Sequence, residues 1–306
     1  MGFPTQGGVP SYSGTFTPEI WSSKLQVKYY DASVLAAISN TDYEGEIKQQ
    51  GDKVKIRTKP TLQINDYSIG QTLINQRPTS TNIELLIDKG KYWSAIIDDI
   101  QAIQNDIDAM NEWSADAAEQ MKIVLDTDVL AGIAPDVATA NKGATAGRIS
   151  ANINMGATSA PVGVTKANVI DHILDHGLVL DEQNVPETGR FIVIPAWMSR
   201  LLKASDLKDA SMTGDGSSVL RNGRLGMLDR FTLYSSNLLP RVTDGSVQAF
   251  NVYAGVKDGL TFATQLTKVE TLRAESTFGD IMRGLNVYGY EVVKPEALTV
   301  GYVYKA

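Results

Sequence analysis

Apolar and polar residues alternate through Lys53-Val54-Lys55-Ile56-Arg57-Thr58 and Thr61-Leu62-Gln63-Ile64-Asn65, and again from Thr81 to Asp88. A period of two marks strands with one wet face. Between them, Asp66 to Ser80 is largely polar and holds Gly70 and Pro78, which suits an exposed turn. Residues 44–91 therefore predict a long two-stranded ribbon with little of its own to fold against. Such a ribbon is marginal alone. The pattern points to a subunit that other subunits complete.

Between Asp98 and Leu130 the period changes. Ile100, Ile103, Ile107, Met110, Ala117, Met121, Val124 and Leu125 recur at spacings near three and four, which predicts one long amphipathic helix. Asp98 or Asp99 is expected to cap it, and Gly132 with Pro135 to end it. About 30 residues at ~1.5 Å each give a rod of roughly 45 Å, long for a compact domain. Strict heptads are absent, so a coiled coil is not expected. Residues 135–164 are small and polar and read as loop. Thr165 is expected to cap a second helix with Val169, Ile170, Ile173, Leu174 and Leu178 on one face. Phe191-Ile192-Val193-Ile194 reads as a central strand buried on both faces. Pro195 opens a further helix through Trp197, Leu201 and Leu202, and residues 225–304 read as short strands punctuated by glycine. Residues 1–16 form a Gly/Ser/Thr/Pro-rich arm, after which Thr17 and Pro18 open a helical segment through Ile20 and Trp21. The fold class expected is α+β.

Composition narrows the function. With 43% hydrophobic residues the 306-residue chain has enough to bury for a folded core. It has no cysteine, which excludes disulfides and thiolate metal sites. No run approaches the ~18 apolar residues of a membrane helix. The formal net charge of −7 argues against a chain built to grip nucleic acid, because that task needs phosphate-neutralising basic stripes.

Candidate chemistry is sparse. His172 and His176 stand four apart on a predicted helix, a metal-binding spacing with Asp171 and Asp175 nearby, but no third ligand is evident. They are expected on a solvated outer face. The pairs Asp98-Asp99, Asp106-Asp108 and Asp126-Asp128 are better explained by capping and by helix faces than by acid–base work. No phosphate-binding GxxxxGK loop and no GxSxG elbow occurs. Gly143-Ala144-Thr145-Ala146-Gly147-Arg148 could receive an anion but reads as a plain loop. Lys89, Lys91, Tyr92 and Trp93 could suggest nucleic acid. At an expected loop-to-helix junction they read instead as interface anchors. A hydrolase using both histidines fits the composition and fails the motif search.

The ordered blocks resemble the major capsid proteins of tailed bacteriophages, with the Hong Kong 97-type fold. Pro18-Glu19-Ile20-Trp21-Ser22, Asn40 to Ile47 and Gly51-Asp52-Lys53-Val54 resemble the arm and the entry to that family's extended loop. Ile87-Asp88-Lys89 through Asp99 is similar to the loop's return and the start of its spine helix. Arg190 to Pro195 with Leu201-Leu202, then Tyr234 to Pro240, resembles the axial domain, and Arg283-Gly284-Leu285 with Tyr288-Gly289 its closing strands. One position departs: Arg230 stands before Phe231 where the family pattern is expected to carry glycine.

The resemblance implies an N-terminal arm (1–43), an extended loop (44–92), a peripheral domain (93–134 and 265–306) and an axial domain (135–264). It implies a structural subunit, not an enzyme, without cofactor or metal. Copies would assemble into pentamers and hexamers, forming an icosahedral shell around double-stranded DNA that is enclosed without sequence-specific binding. A separate scaffolding protein, a portal and a possible cement protein are the expected partners. Assembly would occur in the host cytoplasm, with no membrane. The first charged residue is Glu19, so no long charged scaffold segment is expected before the arm, and the N-terminus is expected to reach the shell uncut. The candidate interface residues are Trp21, Tyr43, Ile56, Tyr67, Ile69, Tyr92 and Trp93. A tail-tube or adhesin subunit is the alternative.

Overall fold

Covering both faces of one sheet organises this chain. A computed structural model describes residues 30–31, 33–43, 53–60, 62–80, 82–99, 109–205, 226–275 and 277–306, with the side chains of 109–110 and 265–267 excepted. Its elements are α1 (Leu35–Ile38), β1 (Lys53–Arg57), β2 (Asn82–Leu86), β3 (Lys89–Asp98), α2 (Ala109–Gly132), β4 (Val162–Val164), α3 (Val169–Glu182) and β5 (Arg190–Ile194). They continue as α4 (Ala196–Ala204), β6 (Met227–Leu228), β7 (Phe231–Ser235), β8 (Arg241–Asp244), β9 (Val247–Val256), β10 (Leu260–Arg273), β11 (Gly279–Val292) and β12 (Leu298–Lys305).

The largest sheet has the order β4-β12-β9-β5-β7-β6, with β8 also paired to β9. β5 is its centre and all five of its residues are buried. Phe191 and Val193 pack with α1 and the end of α2, through Leu35, Ile38, Val129, Leu130 and Ile133. Ile192 and Ile194 pack on the opposite face with Ile173 and Leu180 of α3 and Met198 and Leu202 of α4. A strand covered on both faces needs an unbroken apolar run, which Phe191 to Ile194 supplies. The final strand, expected with the peripheral segment 265–306, pairs with β9 and β4 and so lies in this sheet.

A second sheet has the order β10-β11-β3. β3 pairs with β11 over Lys89 to Asp98, so Tyr92 and Trp93 are strand residues and not a loop-to-helix junction. Asp99 accepts from the Arg273 guanidinium at 2.7 Å; the helix start it is expected to cap lies outside the described residues. The described part of the spine helix begins at Ala109; Ile100, Ile103 and Ile107 lie outside the described residues. Its buried stripe runs through Leu125, Asp126, Val129, Leu130 and Ile133, while Val124 of the expected stripe faces solvent.

Tyrosines fasten the last turns of α2. The Tyr253 hydroxyl donates to the Leu130 carbonyl at 2.5 Å, and Tyr288 donates to the Asp128 carboxylate at 2.8 Å. Tyr290 donates to the Asp128 carbonyl at 3.3 Å. Its hydroxyl lies only 1.9 Å from where a Cβ on Gly132 would stand, so a side chain there must displace it. From the other side, the buried Asp126 carboxylate accepts the amides of Val34 at 2.6 Å and Leu35 at 3.2 Å, and the Ser33 hydroxyl at 3.0 Å. Burial raises the pKa of this carboxyl and outweighs those hydrogen bonds.

The ribbon is real but shorter in its paired part than the alternation implied. β1 and β2 pair antiparallel from Lys53↔Leu86 to Arg57↔Asn82. Leu62 to Asn65, expected as strand, has no ladder partner. The base of the ribbon seats Ile56, Leu85 and Ile87 against Ala263, with Tyr43 and Val287 beside them. β2 crosses β11 at Gly289, where a Cβ would stand 1.9 Å from the Leu86 carbonyl oxygen.

The β6–β7 turn holds the departure noted at Arg230. Asp229 and Arg230 have φ of +44° and +68°, the left-handed pair that a two-residue hairpin of this kind needs and that usually falls to Asn-Gly. The turn is therefore made here without glycine. The Arg230 guanidinium is tied to Asp181 at 2.8 Å and to Glu187 at 3.0 Å, contacts a glycine could not make.

Candidate subunit interfaces

Beyond Pro60 the ribbon leaves the body of the chain. Its apex presents Leu62, Ile64, Tyr67, Ile69, Leu73 and Ile74, with Tyr67 at 66% exposure and Ile69 fully exposed. It is nonetheless shaped. The Gln76 side chain accepts the Gln63 amide at 2.9 Å and donates back to the Gln63 carbonyl at 2.6 Å. At the tip, the Ser68 amide donates to the Gln71 side chain at 3.0 Å and Gly70 takes φ +86°. Six large apolar side chains on one polar-backed finger exceed the scattered exposure of an ordinary surface.

The outer face of the three-stranded sheet is a second open surface. Tyr92 lies opposite Leu285, which lies opposite Lys268; Ser94, Arg283 and Glu270 form the next row, and Ile96, Ile281 and Leu272 the next. Tyr92 is 80% exposed, and Ile96, Leu285 and Leu272 are also exposed. Lys268 and Arg283 bracket Glu270, with Lys268 at 2.6 Å, and their hydrogen bonds hold its carboxyl below the usual range. Trp93 points the other way, toward α2, where it lines a cavity of about 230 Å³ with Ala118, Met121 and Leu125.

The expected interface residues thus separate. Tyr67, Ile69 and Tyr92 are open to a neighbour. Tyr43 and Trp93 are half-buried, and Ile56 is 6% exposed and packed at the base of the ribbon. Trp21 lies outside the described residues. What distinguishes Ile56 from Ile69 is the ladder: Ile56 alternates inward opposite Ile83 on a paired strand, whereas Ile69 sits at an unpaired tip.

The histidines correct the sequence reading. His172 and His176 are buried, at 4% and 0% exposure, on the face of α3 that meets the sheet. Leu174 and Leu178, expected on the inner face, are the exposed ones. The helix is turned so that Val169, His172, Ile173, His176 and Leu180 face inward, a stripe equally consistent with a 3.6-residue period. Among the described residues no group of three or more His, Cys, Asp or Glu side chains could hold a metal. Lys89, part of the basic–aromatic cluster, stacks on Tyr290 with its ammonium 4.9 Å from the ring centre.

The loop at Gly143–Arg148 leads into an anion cradle that the chain fills itself. Glu182 Oε2 accepts the amides of Ile149 at 2.7 Å and Ser150 at 3.1 Å, and these bonds lower its pKa. Asp126 and Asp128 face different partners, the α1 entry and Tyr288, and are structural. No described helix is long and apolar enough to cross a membrane.

A family model described as phage capsid protein matches residues 87–301. No curated protein matches the chain. Among solved structures, one from Mycobacterium phage Che8 is 26% identical with a TM-score of 0.77, covering 95% of this chain and 98% of that one. The capsid of cyanophage P-SCSP1u is 14% identical with a TM-score of 0.72, covering 95% and 94%. The capsid of Ralstonia phage GP4 is 12% identical with a TM-score of 0.65, covering 98% and 99%. The family match spans most of the chain, from the return of the ribbon to the last strand, and these structures share its fold over nearly their whole length. The chain belongs to the phage capsid protein family and is a major capsid protein of the Hong Kong 97-type fold, a subunit of the virion shell.

Proposed function

We propose that copies of this chain close into pentamers and hexamers through ring-like, heterologous contacts, and that the ribbon apex of one copy lies on the body of the next. The observation that carries this reading is the apex itself, with six large apolar side chains held in a defined shape and, among the described residues, nothing of the chain's own beneath them. The outer face of the three-stranded sheet, with Tyr92, Ile96 and Leu285, offers a surface of matching character. In this reading 1–43 serves as arm, 44–92 as extended loop, 93–134 with 265–306 as peripheral domain and 135–264 as axial domain, with the last strand returning to the axial sheet. The capsid family match favours this over a tail-tube or adhesin subunit.

The role is structural and not enzymatic. The shell encloses double-stranded DNA, and the acidic balance of −7 keeps duplex from adhering to its wall. A separate scaffolding protein guides assembly in the host cytoplasm, a portal occupies one vertex, and a cement protein could bind outside. Negative-stain microscopy of the expressed chain, with and without its co-expressed scaffold, tests this reading. Closed shells of uniform diameter with scaffold are the expected result; open tubes or isolated monomers under both conditions would refute it. Isolated subunits should hold duplex DNA weakly, and moderate salt should abolish what binding there is.

A further inference from the structure

The two histidines of this chain meet in a place where neither can carry charge. Their rings are 5.1 Å apart, edge to face, between α3 and the sheet. His176 Nδ1 is 2.6 Å from the Thr299 hydroxyl of β12, and neither Nε2 has a hydrogen-bond partner. A Cβ on Gly301 would stand 2.8 Å from His172 Nε2 and 2.9 Å from His176 Nε2, so both nitrogens converge on one spot above β12.

We propose that the His172–His176 pair is an acid-sensitive seam: a proton taken up by either ring separates α3 from β12, and the fold gives way to acid there first. A protonated imidazole gains an N–H and a full charge. Among the described residues the Thr299 hydroxyl can accept the His176 Nδ1–H, but neither Nε2 has an acceptor and no carboxylate offsets the charge. β12 presents Thr299 and Gly301, and β9 presents Val252 and Ala254 to the same cluster. Asp171 is exposed on α3, Asp175 is half-buried, and Asp229 reaches Gly177; none of the three offsets the burial of either ring. Only lifting the helix admits water.

The direction follows from linkage. Burial lowers the pKa of His172 to about 4, and burial together with His172 lowers that of His176 well below the ordinary value. Between the ordinary value and about 4 the unfolded chain therefore holds more protons than the folded one. The stability from the neutral pair is complete above pH ~6.5 and lost as pH falls, by about tenfold in the folding equilibrium per imidazole per pH unit. The seam belongs to the single chain, so its test stands apart from that of the assembly reading. In a shell, every copy would carry the same weak point.

Because the chain has only these two histidines, ¹⁵N-histidine labelling of the full chain reports on them directly. Both rings should stay neutral at pH 5.5, and amide exchange across Val169–Glu182, taken relative to the intrinsic rate at each pH, should accelerate at least tenfold more than across β5 between pH 6.5 and 5. Rings that titrate near pH 6.5 in the folded chain would overturn the proposal, as would equal acceleration in both segments. The H172Q/H176Q variant should lose the selective acceleration at α3. If that variant folds and keeps it, the carboxylates and not the histidines are responsible, and the proposal fails. If it does not fold, the labelled wild type still decides.

Discussion

β5 and the ribbon apex are both rich in large apolar residues, with opposite fates. Phe191, Ile192, Val193 and Ile194 meet two helical layers of their own chain and vanish from solvent. Leu62, Ile64, Tyr67, Ile69, Leu73 and Ile74 are covered by none of the described residues and remain open. Apolar content states how much burial a segment demands and is silent on who supplies it. In one region the supplier is the chain itself, and stability is a property of the monomer. In the other, on the proposed assembly, it is another copy, and stability becomes a function of assembly and concentration.

Substitutions should divide along the same line. Ile192→Ala empties part of a site covered on both faces and should cost about 2–5 kcal/mol in chemical denaturation of the isolated chain. A loss under 1 kcal/mol would mean that β5 is not the closed centre described. Gly132→Ala should cost about 1–3 kcal/mol by forcing the Tyr290 hydroxyl away from the helix. Adding Tyr290→Phe should recover part of that loss, and simple additivity of the two would show that the contact is not the cause.

At the apex the order reverses. Ile69→Ser should change monomer stability by less than about 0.5 kcal/mol yet sharply reduce shell yield under the microscope. Amides of residues 62–80 should exchange freely in the monomer and slowly in shells; equal protection in both would make the apex part of the monomer's own fold. The smallest effect is expected at Arg230→Gly. Relief of a left-handed backbone worth ~1–2 kcal/mol is offset by the loss of half-exposed ion pairs worth ~0–1 kcal/mol each.

Local periodicity made much of this legible. The ribbon, the central strand, the helix opened by Pro195 and the strand-rich last third all follow from patterns within one element. Three features did not. Leu174 and Leu178 share a helical stripe with Ile170 as convincingly as His172 and His176 share one with Val169, and only β12, which brings Thr299 to His176 from 123 residues on and presents Gly301, decides which stripe is inside. Tyr92 and Trp93 border a helical pattern in sequence, but their pairing with Leu285 and Gly284 makes them strand. The burial of Asp126 was not legible because its partners, Ser33 to Leu35, lie more than 90 residues earlier. Of the interface, the alternation along Lys53–Arg57 correctly marked a half-wet strand but could not say that the inward half closes on its own ladder.

β10 and β11 each run 14 residues, about 45 Å of paired strand. One end of this beam is rooted in the core: Leu260 and Val292 are buried beside Leu298 in the cluster that also holds β5 and the end of α2. The other end is a hairpin with Phe278 exposed and Arg273 braced against Asp99 and Asp280. A stiff beam clamped at one end turns a displacement at its tip into torque at its root. A push of a few ångströms on Phe278 from an adjoining copy would therefore be felt as rotation at Leu260, beneath the helix that Tyr253 and Tyr290 hold. The geometry of a particle's seams could in this way be written into the set of each subunit's sheet.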